Sequence, residues 1–187
     1  FLFGEHGLID KRNAYEPSMR VPMVMQAPGL VPAGAVVDAM VANIDVAPTL
    51  LEAAGLKAPK DMDGMSFLPL ARGEKGPRRE TFLYEYYWER AYPQTPTCFA
   101  LRDDQYKYIL YHGIWDTDEF FDIQADPHEA NNLIRDPAHQ ERIKQMRARL
   151  YDELARTGGL MIPLAPDPTY TAIDRRAEGS KAAPFPS

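Results

Sequence analysis

Between Phe82 and Ile123 the chain runs through four aromatic-rich segments separated only by turn residues: Phe82 to Trp88, Phe99 to Leu101, Tyr106 to Tyr111 and Phe120 to Ile123. Asp103-Asp104 and Asp116-Thr117-Asp118 punctuate them. Aromatic side chains suit the half-buried pleat of a strand, and short strands in succession without intervening helices predict an antiparallel sheet. Asp136-Pro137 then supplies a cap and a helix-starting proline, and Ile143, Met146, Leu150 and Leu154 recur at helical spacing until Gly158-Gly159. That helix is expected to lie across the sheet.

Upstream the grammar changes. Val21 to Ala27 is a nearly continuous apolar run with Pro22 at its entry and Pro28-Gly29 at its end, the pattern of a strand buried on both faces in a parallel sheet. A second apolar stretch, Val36 to Ala42, leads to Asn43-Ile44-Asp45. Asp45 is placed to cap a helix that carries Pro48 in its first turn, ends at Gly55, and turns Leu50, Leu51 and Ala54 to the core. The resulting expectation is an α/β fold class. Residues 1–79 end an α/β core and include a connecting segment with one short helix. Residues 80–160 form a small antiparallel sheet packed with one long helix, and 161–187 are a proline-rich tail.

Composition excludes some partners. The formal net charge of -6, with basic residues scattered apart from Arg78 and Arg79, offers no electrostatic footprint for nucleic acid. No apolar run reaches membrane-spanning length, so no membrane partner is expected. Cys98 is the single cysteine, which rules out an internal disulfide and leaves the compartment open. A chain opening Phe1, Leu2, Phe3 reads as an internal segment with something before it.

The densest chemistry lies in Gly4-Glu5-His6-Gly7-Leu8-Ile9-Asp10-Lys11-Arg12. Glycines permit close backbone approach, and a lysine offers a compact charge with three donors for a tetrahedral oxyanion. A charged surface loop is the plain alternative. This string, followed by Tyr15-Glu16 and Arg20-Val21-Pro22, resembles the segment just after the Asp-His-Gly metal-binding motif of sulfatases in the alkaline phosphatase superfamily. Further matches run in order along the chain: Asn43 to Leu51, Asp63 to Leu70, Tyr106-Lys107-Tyr108-Ile109, Phe121-Asp122-Ile123, Asp126-Pro127 and Asn132-Leu133.

The resemblance implies roles residue by residue. Lys11 takes the position of the catalytic lysine that binds the substrate sulfate and stabilises charge on its oxygens. Asp10 and Arg12 flank it as in sulfatases acting on 6-sulfated N-acetylglucosamine, where such residues contact sugar hydroxyls. His112 matches a position that completes the sugar pocket, against the alternative of a histidine satisfied in a turn, and Trp115 would add an apolar face or simply pack. His6 reads equally as substrate contact or as packing of the loop. The implied partner is a sulfated small molecule or carbohydrate. The calcium ion and the formylglycine nucleophile of the full enzyme would sit on an N-terminal sulfatase half upstream, so this chain is expected to be inactive alone and to supply no metal ligand.

Two lures are set aside. Cys98-Phe99-Ala100-Leu101-Arg102 loosely fits the formylglycine signature but lies downstream of the lysine, lacks the accompanying Thr-Gly-Arg, and reads as a strand. The group Asp116, Asp118, Glu119 and Asp122 lacks the spacing and glycine of a dedicated calcium loop and reads as turn residues. Two rival readings stand beside the sulfatase: a phosphonate monoester hydrolase or phosphodiesterase of the same superfamily, and a stand-alone binding module. Against the second, Val21 to Met25 calls for neighbours on both faces.

Overall fold

In the computed structural model, which describes residues 1–113 and 117–160, the aromatic runs pair as one antiparallel sheet. Its strands are β3 (Phe82–Tyr86), β4 (Cys98–Arg102), β5 (Tyr106–Tyr111) and β6 (Glu119–Asp122), in the order β3-β4-β5-β6. The register sets Ala100 against Tyr84 and Ile109, and Tyr108 against Leu101 and Phe120. Side chains alternate across the pleat, so one set of residues serves each face.

Phe99, Leu101, Tyr108 and Phe120 share a core with Ile143, Met146, Leu150 and Leu154 of the long helix α4 (Gln140–Thr157). The four helix positions are those expected from the sequence period. Asp136 caps the turn ahead of the helix by accepting from the Ala138 N–H at 2.9 Å, and Gly158 ends it at a φ of +82°.

The opposite face of the sheet is covered by the N-terminal segment. There Leu2, Ala14 and Tyr15 pack with Ala100, Ile109, Phe121 and Ile123. A two-residue hairpin, β1 (Leu2–Phe3) with β2 (Ile9–Asp10), opens the segment, and α1 (Glu16–Met19) follows it. The lysine loop is therefore carried by the sheet itself.

Two expectations for the upstream region are overturned. Val21 to Gln26 forms no strand; Val24 is 94% exposed and Val21 67%. A strand needs a neighbour to take its backbone hydrogen bonds, and among the described residues no strand pairs with this run, while Pro22 and Pro28 remove donors at its ends. Val36, 80% exposed, likewise belongs to no element.

The helix after Asp45 exists as α2 (Val46–Ala53), but its buried residues are Pro48 and Thr49. Leu50 is 64% exposed, Ala54 is exposed and Leu51 half-buried, contrary to expectation. The buried carboxylate of Asp45 does not cap α2. It accepts instead from Ala42 N–H at 2.8 Å, Met65 N–H at 2.9 Å and Arg79 at 2.5 Å, tying the connecting segment to α2. Thr49 reinforces that tie by accepting from Phe67 N–H at 3.1 Å, and the expected short helix is α3 (Leu68–Ala71). The tail 161–187 and residues Ile114, Trp115 and Asp116 lie outside the described residues.

Candidate active-site wall

The hairpin between β1 and β2 turns through Gly4 and Gly7 at φ values of +131° and +71°, which a side chain would resist. Asp10 closes it at a φ of +110°, unusual for a residue with a Cβ. One Asp10 oxygen accepts from the Lys11 N–H at 2.7 Å and the other is ion-paired with Arg12. The Arg12 guanidinium lies 3.2 Å over the Tyr92 ring, with its Nε 3.5 Å from Glu89.

The two cations of the triplet therefore stand in different states. Arg12 is clasped from three sides, whereas Lys11 is exposed and its ammonium forms no ion pair among the described residues. A rigid frame carries a charge that is free to meet an anion.

His6, at a φ of +55°, stacks on Tyr15 with ring centroids 3.8 Å apart and planes within 5°. This gives the packing role a partner, although the ring stays exposed. Tyr15 in turn donates to Glu119 at 2.9 Å, and Tyr111 donates to the same carboxylate at 3.2 Å. Burial, then the Glu119 charge, push both phenols well above the ordinary value, so they act as donors.

The next residue locks the segment down. Glu16 meets Arg102 at 2.9 Å and Lys107 at 2.8 Å, and Lys107, wholly buried in β5, also meets the wholly buried Glu129 at 2.6 Å. Glu129 accepts from the Glu16 N–H at 2.6 Å through its other oxygen. Burial pushes the Glu16 carboxyl up, but Lys107 and Arg102 more than offset this and hold it below its usual value. Sequence reading passed over this network. Its signal was a lysine in the middle of an aromatic strand, a place where a charge demands a buried partner.

His112 follows β5. Its N–H donates to Thr97 O at 2.9 Å, and its exposed ring borders a cleft of about 400 Å³ together with Trp88, Pro93, Gln94, Pro96 and Thr97. The loop between β3 and β4 joins this cleft to the lysine hairpin: Tyr92 lies under Arg12, and Pro93 and Gln94 line the cleft. Sequence reading missed Tyr92, Trp88 and Gln94; a solvent-facing tryptophan beside a Pro-Gln-Thr-Pro loop was the available sign. A larger recess of about 510 Å³ lies elsewhere, lined by Arg79, Glu80, Arg149, Glu153 and Arg156. Three of its arginines, Arg79, Arg149 and Arg156, are already paired with Asp45, Glu80 and Glu153, and a fourth, Arg78, is exposed.

The described residues do not fit a formylglycine or metal centre. Cys98 is 1% exposed inside β4, and burial, with Glu119 nearby, pushes its thiol up to about 12. Among the described residues no group of three His, Cys, Asp or Glu could hold a metal ion. Asp118 accepts from the Tyr108 hydroxyl, and Asp122 accepts from the N–H groups of Gln124 and Ala125 at 3.1 and 3.0 Å. Both are occupied by turn and strand contacts.

A helix-backed antiparallel sheet that carries a lysine hairpin on its other face defines the C-terminal part of a sulfatase of the alkaline phosphatase superfamily. The chain belongs to the family described as N-sulphoglucosamine sulphohydrolase, C-terminal, whose model matches residues 4–156. It is 34% identical over 149 residues to an N-acetylglucosamine-6-O-sulfatase of Bacteroides thetaiotaomicron, covering 78% of this chain and 27% of that protein. A solved structure in complex with its substrate D-glucosamine-2-N,6-O-disulfate is 30% identical with a TM-score of 0.77, over 85% of this chain and 33% of that one. The phosphonate monoester hydrolase of Silicibacter pomeroyi is 25% identical with a TM-score of 0.64, over 79% and 31%. The chain thus spans about a quarter to a third of the length of these relatives.

Proposed function

We propose that this chain forms one wall of a carbohydrate sulfatase pocket and supplies its sulfate-binding lysine, Lys11. The observation that carries the reading is the Lys11 ammonium, exposed and without an ion pair among the described residues, beside an Arg12 held by Asp10, Glu89 and Tyr92. A compact ammonium on a fixed frame stabilises charge as it develops on the sulfate oxygens, which is where preorganised donors contribute most. Asp10 accepts from, and Arg12 donates to, adjacent hydroxyls of the sugar, and His112 bounds it from the side of the sheet. His6 acts by holding Tyr15.

The nucleophile and its calcium ion belong to an N-terminal half, and the exposed run Val21 to Gln26 supports such a partner, because it lacks the neighbours an apolar strand needs. Separated from that half, the chain is inactive. The intact mass of the purified protein tests this part: a value well above the 21.1 kDa of this chain is expected, and a matching value contradicts a single longer polypeptide.

Likeness to the phosphonate monoester hydrolase favours a second reading, in which Lys11 serves a phosphoryl oxyanion. Turnover of 6-sulfated N-acetylglucosamine and an aryl sulfate against an aryl phosphonate by the intact protein separates the two. Preference for the sulfates is expected; preference for the phosphonate would remove the first reading.

A further inference from the structure

Arg12 owes its position to residues outside its own hairpin. Its side chain is only 17% exposed, and ordering so long a side chain costs rotamer freedom that its contacts must offset. Within the hairpin, Nη1 is ion-paired with Asp10. The other two contacts reach in from the loop between β3 and β4: Nε faces the Glu89 carboxylate at 3.5 Å, and the guanidinium carbon lies 3.2 Å over the Tyr92 ring.

Glu89 and Tyr92 belong to one turn of that loop. The Tyr92 N–H donates to Glu89 O at 3.0 Å and the Thr95 N–H to Tyr92 O at 3.0 Å, while the Trp88 N–H donates to the hydroxyl of the buried Thr97 at 2.8 Å. A loop fastened by its own backbone thus presents a carboxylate and a ring to the same guanidinium. That group carries five N–H donors in a fixed plane. Stacking on Tyr92 fixes the plane, and the two carboxylates fix the rotation within it. With Nη1 turned to Asp10 and Nε to Glu89, Nη2 is the edge that keeps its donors without a hydrogen bond among the described residues.

We propose that Glu89 and Tyr92 are positioning residues for substrate selection: they aim the Nη2 edge of Arg12 at a sugar hydroxyl, and so favour a sulfated saccharide over a sulfate ester whose leaving group has no hydroxyls. The proposal rests on the sulfatase reading and assigns its selectivity to the loop between β3 and β4. Lys11 takes no part in this clasp, so the sulfate contact does not depend on it.

The test uses the intact protein, its Tyr92→Leu, Tyr92→Phe, Glu89→Gln and Arg12→Ala variants, and the Arg12→Ala/Tyr92→Leu pair. Sulfate release is measured from 6-sulfated N-acetylglucosamine and from an aryl sulfate without hydroxyls. Tyr92→Leu keeps bulk but loses the ring face. It is expected to lower kcat/KM on the sugar roughly threefold to thirtyfold, chiefly through KM, the range of a cation–π contact, with a much smaller loss on the aryl sulfate. Glu89→Gln is expected to act in the same direction, and Tyr92→Phe, which keeps the ring face, to stay near wild type. In the Arg12→Ala background Tyr92→Leu is expected to cost nothing further on the sugar, because its effect passes through the guanidinium. Equal loss on both substrates, additive loss in the pair, or no loss on the sugar in Tyr92→Leu or Glu89→Gln would overturn the proposal.

Calorimetric titration with unsulfated N-acetylglucosamine reads the Arg12 contact without turnover. Binding that weakens in Tyr92→Leu, but not when that change is added to Arg12→Ala, supports the positioning role even if no sulfate is released, in which case only the sulfatase reading fails. Binding unaffected by Tyr92→Leu, or absent from wild type, overturns it.

Discussion

Replacing Lys107 by Met tests the ion network that fastens the lysine hairpin to the sheet. The Nζ of Lys107 lies 2.6 Å from Glu129 and 2.8 Å from Glu16, and the Lys107 and Glu129 side chains are both 0% exposed. Glu16 keeps Arg102 at 2.9 Å after the change, but Glu129 is left buried without its cation. Removing one partner of a buried pair costs about 3–5 kcal/mol, because the surviving charge stays desolvated. Adding Glu129→Gln removes that charge while the amide oxygen still accepts the Glu16 N–H, so the double variant is expected to lie within about 1–2 kcal/mol of wild type. Native-state hydrogen exchange of the β4 and β5 amides in the intact protein reads the local opening energy directly. A loss below about 1 kcal/mol for Lys107→Met, or simple additivity in the double variant, would refute the reasoning.

Other outcomes follow from single groups. Cys98, its thiol pushed up to about 12 by burial, is expected to resist alkylation at mildly alkaline pH in the folded protein and to react only in denaturant; rapid native labelling seen by mass spectrometry would contradict its placement. The Glu16 carboxyl is held below its ordinary value of 4.5, so its contribution to stability is full above that value and is lost as pH falls through the lower folded value. Exchange protection measured from about pH 6 down to about pH 3 is expected to fall less steeply in Glu16→Gln; an unchanged slope would contradict the assignment. Leu150, 0% exposed against the sheet, is expected to cost about 2–5 kcal/mol as Leu150→Ala by the same exchange measurement, and a loss under about 1 kcal/mol would contradict the packing of α4.

The parts of the fold legible in the sequence were those whose partners lie nearby. Tyr106–Tyr111 is a strand at the bounds its aromatic run predicts, and Ile143, Met146, Leu150 and Leu154 face the core as their spacing requires. The apolar run at Val21 failed because its pattern reports a need for burial and cannot report what does the burying. Leu50 failed for the same reason: the apolar face of α2 was read as facing a core, and among the described residues Pro48 and Thr49 are its buried positions. At the site, the Asp10-Lys11-Arg12 triplet was visible as a local string. The clasp of Arg12 on Tyr92 and the reach of Glu16 to Lys107 and Glu129 were not, because they join segments far apart in the chain.

The central claim is that the exposed ammonium of Lys11 holds the sulfate. It is tested most directly by kcat for sulfate release from 6-sulfated N-acetylglucosamine by the intact protein and its Lys11→Ala variant. The account predicts a fall on the order of a hundredfold to a thousandfold, the loss expected for one preorganised oxyanion partner, with β-sheet exchange protection unchanged. Wild-type turnover in Lys11→Ala would contradict it.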